Sequence, residues 1–315
     1  MYFPFLRGKQ YELLALREIA PTLSHKPVSP IIEPTKADTI QLWKGINALW
    51  ANGLNFNIVL NSSVVGKNTL DCMNSVANLI ESNLKNNTNF QIAVNINQYT
   101  NFQDLEKFLV GNRLQDHSFT LIHLSKLDDI QSMKNFIINH RVKYNVLHIE
   151  NVKVRYKRNF ETQNCVSLSD SFNQQKRNAD YSQIPEELFS EEFIFYKQEG
   201  FIGFSDFLTV GETFSDSGFT PYVVVIHLTY LKGQEIRVAH FSSTSNKDTN
   251  SPIDLPKKFK EALNRLMNFV NDNSLNNTKA LEEFRNLHFK SHFPGLGSVK
   301  KLSIMNHLEL VGTLI

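Results

Sequence analysis

Polar side chains recur at one kind of place in this chain, the end of a short apolar run. Arg7 and Lys9 follow Phe3–Leu6, Glu33 closes Val28–Glu33, and Asn61 follows Phe56–Leu60. Asn95, with Asn97 beyond it, ends Phe90–Asn95, and His123 ends Phe119–His123. Glu150 and Asn151 follow Val146–Ile149, Asp170 follows Cys165–Ser169, and Asp206 lies within Ile202–Leu208. Glu33, Glu150 and Asp206 offer the oxygen donors that Mg²⁺ or Mn²⁺ takes. Alternatively, one of them is a general base whose pKa its neighbours raise. Arg7 and Lys9, with the amides of Asn61 and Asn95, suit a phosphate-like anion, or the two cations simply pair with the acids. His123 is either a proton donor or a satisfied inward histidine. Asp206 is flanked by Phe204 and Phe207, which makes it the strongest single candidate. Taken one at a time, such residues also cap turns where a chain leaves its core.

These residues need a scaffold that brings strand ends together. The apolar runs are nearly continuous, as in a sheet buried on both faces. Amphipathic segments separate them: Thr39–Asn52, Leu70–Lys85, Phe102–Leu109 and Leu127–His140. Asp38-Thr39 and Asn68-Thr69 offer N-cap oxygens to the first two. The opening FPFLRGKQYELLAL reads as strand, glycine turn with two cations, and helix, an arrangement that favours anions at the helix start. Eight strands alternating with helices predict an α/β fold, a (β/α)8 TIM-barrel-like body whose strand ends share one mouth. An open doubly wound sheet is the alternative. Two departures are visible. Lys153–Phe160 is too short and charged for a full barrel helix, and a long polar connection precedes a helix expected over Pro185–Lys197.

From Gly211 the pattern changes. Tyr222–Tyr230 and Ile236–Phe241 read as paired strands around Gly233, followed by helices over Pro256–Asp272 and Thr278–Phe289. A turn at Pro294-Gly295-Leu296-Gly297 and an amphipathic segment, Lys301–Val311, come last. The expected division is a barrel-like core over 1–210 and an α+β appendage over 211–315 on the same body. His227 and His240 fall on the paired strands and approach each other if those strands pair; they are core histidines or ligands.

The 315 residues carry 33 Lys and Arg against 31 Asp and Glu, so net charge demands neither a nucleic acid nor a membrane. KVRYKRN (153–159) and QQKRN (174–178) can track a nucleic-acid backbone or be solvated loops. Two distant cysteines, read as small buried hydrophobes, fit a reducing compartment, so a cytoplasmic protein is expected. No apolar run approaches membrane-spanning length, and the first residues do not read as a signal peptide. Neither HExxH, a P-loop, GxSxG nor a Rossmann fingerprint occurs.

FPFLRGKQYELLAL, PIIEP (30–34), GFSDFLTVG, GETF (211–214), YVVVIHLTY and IMNHLEL together resemble the "beta protein" family of phages and bacteria. The resemblance implies a barrel-like, cytoplasmic protein encoded among defence-related genes, with a nuclease-like protein as partner. A looser resemblance is to glycerophosphodiester phosphodiesterases: Arg7-Gly8 and Glu33 match in place, while Leu6 stands where a histidine is expected. It implies only a phosphate-binding mouth. The expected function is a defence component whose mouth hydrolyses a phosphodiester or nucleotide-like substrate. Arg7, Lys9, Asn61 and Asn95 would then bind, Glu33, Glu150 and Asp206 would hold Mg²⁺ or Mn²⁺ or act as base, and His123 would donate a proton. The alternative is a non-catalytic sensor or partner-binding subunit.

Overall fold

The computed structural model describes residues 1–160, 164–215, 221–245 and 253–315. The chain divides into two compact units, one of 1–169 and 194–206 with residue 315, the other of 170–193 and 207–314. The division therefore falls beside 206 rather than at 210, and the segment 170–193 belongs with the later part of the chain.

The first unit begins β1 (Phe5–Arg7), α1 (Gln10–Leu23), β2 (Ile31–Glu33), α2 (Ile40–Ala51), β3 (Phe56–Val59) and α3 (Thr69–Asn83). It continues β4 (Phe90–Ile96), α4 (Phe102–Gly111), β5 (Ser118–His123), α5 (Ile130–Asn139), β6 (Arg141–His148), α6 (Val154–Lys157) and β7 (Cys165–Ser169). The next strand, β8 (Glu186–Ser190), lies in the second unit, and β9 (Gly203–Asp206) returns to the first. The strands form one parallel eight-stranded sheet in the order β1-β2-β3-β4-β5-β6-β7-β9. Its last strand comes back to the chain start. Tyr2 bridges Phe204 in parallel, and the Phe3 amide donates to the Phe204 carbonyl at 2.8 Å. The first unit is thus a TIM-barrel-like α/β body.

Strand registers sort side chains into two faces, because successive residues point opposite ways. Phe3 packs edge-on against Tyr144 with ring centroids 4.9 Å apart, although their strands are not neighbours, so this face is the barrel interior. Phe119 of β5 packs on Phe136 of α5 at 5.4 Å, so that face meets the helices. Following the pairings, Phe5, Arg7, Ile31, Glu33, Asn57, Ala93, Asn95, Thr120, Val146 and His148 face inward. Leu121, His123, Asn145, Ser167, Phe204 and Asp206 face the helix layer. Inside, Thr120 Oγ1 donates to Asn57 Oδ1 at 2.6 Å, and Asn57 Nδ2 donates to Ser29 Oγ at 3.1 Å.

Local chemistry starts several helices. Asn101 accepts from the amides of Gln103 and Asp104 at α4, and Asp129 from Ser132 at α5. At α2, Asp38 Oδ1 accepts from the Ile40 amide at 3.0 Å, as expected, whereas neither Asn68 nor Thr69 caps α3 through its side chain. Lys153–Phe160 forms only the short α6.

In the second unit, β10 (Val225–Lys232) and β11 (Glu235–Ser242) pair antiparallel across a two-residue turn, with Gly233 at φ +64°. β8 adds to β11, in the order β10-β11-β8. Three helices follow: α8 (Leu255–Asp272), α9 (Lys279–Phe289) and α10 (Leu296–Leu314). Between β8 and β9 runs the short α7 (Glu192–Phe195). Phe269 of α8 meets Tyr230 at 5.0 Å and Phe241 at 5.3 Å. Asn306 of α10 donates to the Thr229 carbonyl at 2.7 Å. Two expectations need correction here. The helix over Pro185–Lys197 is instead strand β8 with α7, because an open edge of β11 pairs with a Glu-rich segment whose local propensity is helical. The turn expected over Pro294-Gly295-Leu296-Gly297 is confined to Pro294 and Gly295, the latter at φ +89°, and α10 begins at Leu296.

Barrel closure leaves no room at Gly203. An added Cβ would sit 2.6 Å from the Met1 carbonyl oxygen and 2.8 Å from the Phe3 ring. Gly203→Ala is expected to destabilise the protein by about 1–3 kcal/mol. Gly111→Ala, where a Cβ meets nothing within 4 Å, is expected to be neutral or slightly stabilising. Urea denaturation of the two variants beside wild type checks this.

Candidate functional site

At the C-terminal ends of β1 and β2, Arg7 Nη1 donates to Glu33 Oε2, and both side chains are buried. The arrangement begins in sequence. Residue 8 is glycine, its amide donates to the Glu33 carbonyl at 2.6 Å, and a Cβ there would lie 3.2 Å from that oxygen. The turn after β1 therefore lies against the end of β2. Arg7 also stacks over Phe5, its Cζ 4.9 Å from the ring centroid.

The other oxygen of Glu33 is equally occupied. Oε1 accepts from Ser62 Oγ at 3.3 Å, the Ser63 amide at 2.6 Å, Ser63 Oγ at 2.8 Å and Asn95 Nδ2 at 2.9 Å. Asn95 is tied to the end of β3. Its amide donates to Asn61 Oδ1 at 2.7 Å, and Asn61 Nδ2 donates to the Asn95 carbonyl at 2.8 Å. Arg7, Glu33, Asn61 and Asn95 thus form one hydrogen-bonded cluster across the ends of four adjacent strands. Glu33 has 0% exposure, and a carboxylate at that depth requires this many donors.

His148 ends β6 on the same interior face, buried, with Nδ1 3.0 Å from Oε2 of Glu150, whose side chain is 52% exposed. His148, Ser62 and Ser63 were not singled out in the sequence. The signal for His148 was the alternation Tyr144, Val146, His148, which requires knowing which face is the interior.

The remaining candidates lie elsewhere on their strands. His123 faces the helix layer: Nε2 lies 3.2 Å from Asn145 Oδ1 and Nδ1 3.0 Å from the Tyr156 hydroxyl, and Phe160 packs at 4.7 Å. Asn145 Oδ1 accepts, so Nε2 carries the proton and Nδ1 accepts from Tyr156. Burial pushes the His123 pKa down to about 4, against a smaller upward pull from Asn145. Asp206, also on that face, accepts from the Tyr2 hydroxyl at 2.8 Å. Burial, and then Asp206, raise the Tyr2 pKa well above its ordinary value. Lys9 lies at the start of α1, half-buried. Asp206 faces away from Glu33. Among the described residues, no group of three or more His, Cys, Asp or Glu side chains is placed to hold a metal ion.

Within the basic stretches, two cations have local partners. Lys157 Nζ donates to the Glu199 carbonyl at 2.7 Å and lies 3.5 Å from the Phe201 ring centroid, and Arg177 pairs with Asp180 at 2.7 Å. Cys72 and Cys165 are both buried, as read from the sequence. No described helix is long and apolar enough to cross a membrane.

Comparison with family models, with curated proteins and with solved structures returned no match. The fold is therefore assigned from topology alone, as a barrel-like α/β body with a polar cluster at its mouth.

Two predictions test these roles. Glu33→Gln leaves Arg7 buried beside a neutral partner and is expected to cost about 3–5 kcal/mol, whereas Arg7→Met with Glu33→Met recovers most of that loss; denaturation midpoints of the single and double variants decide. His123 is neutral in the folded protein and protonates more readily when unfolded, so stability is lost as pH falls from about 6.5 toward 4. The loss attributable to this residue is on the order of 3 kcal/mol. His123→Gln is expected to be less stable at pH 7 and to show a flatter pH slope over that window.

Proposed function

We propose that the barrel mouth binds a phosphodiester or nucleotide-like anion and hydrolyses it. The observation that supports this reading is the gathering of Arg7, Glu33, Asn95 and His148 on the interior face at the C-terminal strand ends, where barrel enzymes hold substrates. Arg7 supplies a guanidinium held in one orientation by Glu33 and Phe5. Lys9, one residue past the glycine turn, supplies a second cation at the start of α1.

Proton transfer falls to His148 with Glu150 beside it. A carboxylate next to an imidazole orients the ring and favours its protonated form during the reaction. In hydrolysis, His148 would take a proton from the attacking water, whose oxygen bonds to phosphorus while the ester oxygen departs. If Mg²⁺ or Mn²⁺ takes part, Glu33 on the interior face and Glu150 beside His148 would be the carboxylates to hold it, with Asp206 facing away.

A second reading has its own support. Both oxygens of Glu33 already receive protein donors, so this carboxylate is held preset, as suits a fixed recognition surface. Together with the resemblance to a defence-associated family, this favours a sensor or partner-binding subunit acting with a nuclease-like protein.

Turnover of bis(p-nitrophenyl) phosphate separates the two, measured with chelator, with Mg²⁺ and with Mn²⁺. The enzyme reading expects turnover that His148→Gln lowers by about 10²–10⁴-fold. Lys9→Gln is expected to raise KM with little change in kcat. Absence of turnover under all three conditions, with ATP still bound and Lys9→Gln weakening that binding, would establish the sensor reading instead.

A further inference from the structure

The second unit contains a chain of hydrogen bonds that the barrel mouth does not use. His227 and His240 are directly paired across β10 and β11, and their Nδ1 atoms lie 2.7 Å apart. On the other side of its ring, His240 Nε2 lies 3.2 Å from Glu187 Oε1 of β8. The proton positions follow from the partners. A carboxylate only accepts, so His240 donates through Nε2, and its Nδ1 carries the lone pair. His227 must then donate through Nδ1, which leaves the lone pair on its Nε2. Both rings are neutral. Burial lowers the pKa of each, and His240 and Lys300 add to the lowering at His227. Phe172 and Tyr181 pack against both imidazoles, with centroids 5.1 and 4.7 Å from His227, and fix the rings in this arrangement.

His227 lines a cavity of about 230 Å³, together with Thr209, Gln174, Asn178, Lys300 and Ser303. At about 30 Å³ per water this is room for roughly eight waters, or a ligand of about ten non-hydrogen atoms. A second, independent feature points to a ligand. Thr209 is 5% exposed, lines the cavity, and its hydroxyl has no hydrogen-bond partner among the described residues. A buried hydroxyl without a partner costs about 1–3 kcal/mol, which a bound polar group would offset. The cavity therefore offers an acceptor that cannot donate, a hydroxyl able to do either, and a cation.

We propose that this cavity is a second binding site, for a small anion that carries a hydroxyl group. The hydroxyl donates to His227 Nε2, the anionic group lies toward Lys300, and Thr209 completes the polar contacts. The Glu187–His240–His227 relay keeps Nε2 unprotonated, so the site selects a donor at that point. This site is independent of the barrel mouth, and its test does not involve hydrolysis.

Glycerol 3-phosphate, with a hydroxyl and an anion in ten non-hydrogen atoms, is the probe, followed by calorimetry and by ¹⁵N NMR of the imidazoles in the full chain. Wild type is expected to bind it at least tenfold more tightly than Lys300→Gln or His227→Phe, and several-fold more tightly than Thr209→Val. Glycerol and inorganic phosphate, each lacking one half of the pattern, are expected to bind more weakly. The free protein should show His227 protonated at Nδ1, with the Nε2 resonance shifting on binding. The histidine spectrum needs no variant, so it decides even if His227→Phe fails to fold. A proton on His227 Nε2, no binding of glycerol 3-phosphate, or equal binding by wild type and Lys300→Gln would overturn the proposal.

Discussion

A carboxylate with no solvent exposure must be surrounded by donors or it will not remain charged, and Glu33 imposes that requirement on the barrel mouth. Arg7 of β1 satisfies one oxygen. Ser62, Ser63 and Asn95, from the segments at and beyond β3 and β4, satisfy the other. Each of these contacts needs its strand end at a particular height and angle, so one buried charge coordinates four neighbouring strands. Gly8 lets the β1 turn approach the Glu33 backbone closely enough for the ion pair to form. Replacing such a cluster by apolar side chains would cost little in stability.

The second organising constraint is strand alternation. Neighbouring residues on a strand face opposite ways, so polar side chains at successive strand ends need not meet. Arg7, Glu33, Asn95 and His148 face the interior. His123 and Asp206, one face away, are absorbed into the layer beneath the helices, where Asn145, Tyr156 and Tyr2 satisfy them. Small features of the closing strand serve the same geometry. Gly203 admits the Met1 carbonyl and the Phe3 ring, and Ser205 Oγ donates to the Phe3 carbonyl. Phe3 and Phe5 are buried, and Tyr144 packs edge-on against Phe3.

In the second unit the ordering element is an antiparallel hairpin rather than a buried ion. Its register sets His227 opposite His240, and the third strand brings Glu187 to the outer imidazole. Three groups of modest individual interest become a directional relay because each partner leaves the next only one choice of proton position. Arg237 and Lys232 hold Glu186 beside it, which helps to fix β8 against β11.

Much of this was legible in the residues alone. Alternation of apolar runs with amphipathic segments determined the barrel-like body, because a sheet buried on both faces demands continuous apolar strands. The positions of Arg7, Glu33, Asn61 and Asn95 at strand ends were readable, as were the pairing of the two late strands and the approach of His227 to His240. The segment after Pro185 was not readable, since its glutamates favour helix locally and only the open edge of β11 makes it a strand. Nor was His148, because a histidine at a strand end carries no mark of which way it points. Facing depends on register summed around a closed sheet, and hydrogen-bond saturation depends on residues far apart in the chain. Composition and spacing determined which groups stand at the strand ends, whereas tertiary closure decided which of them share a space.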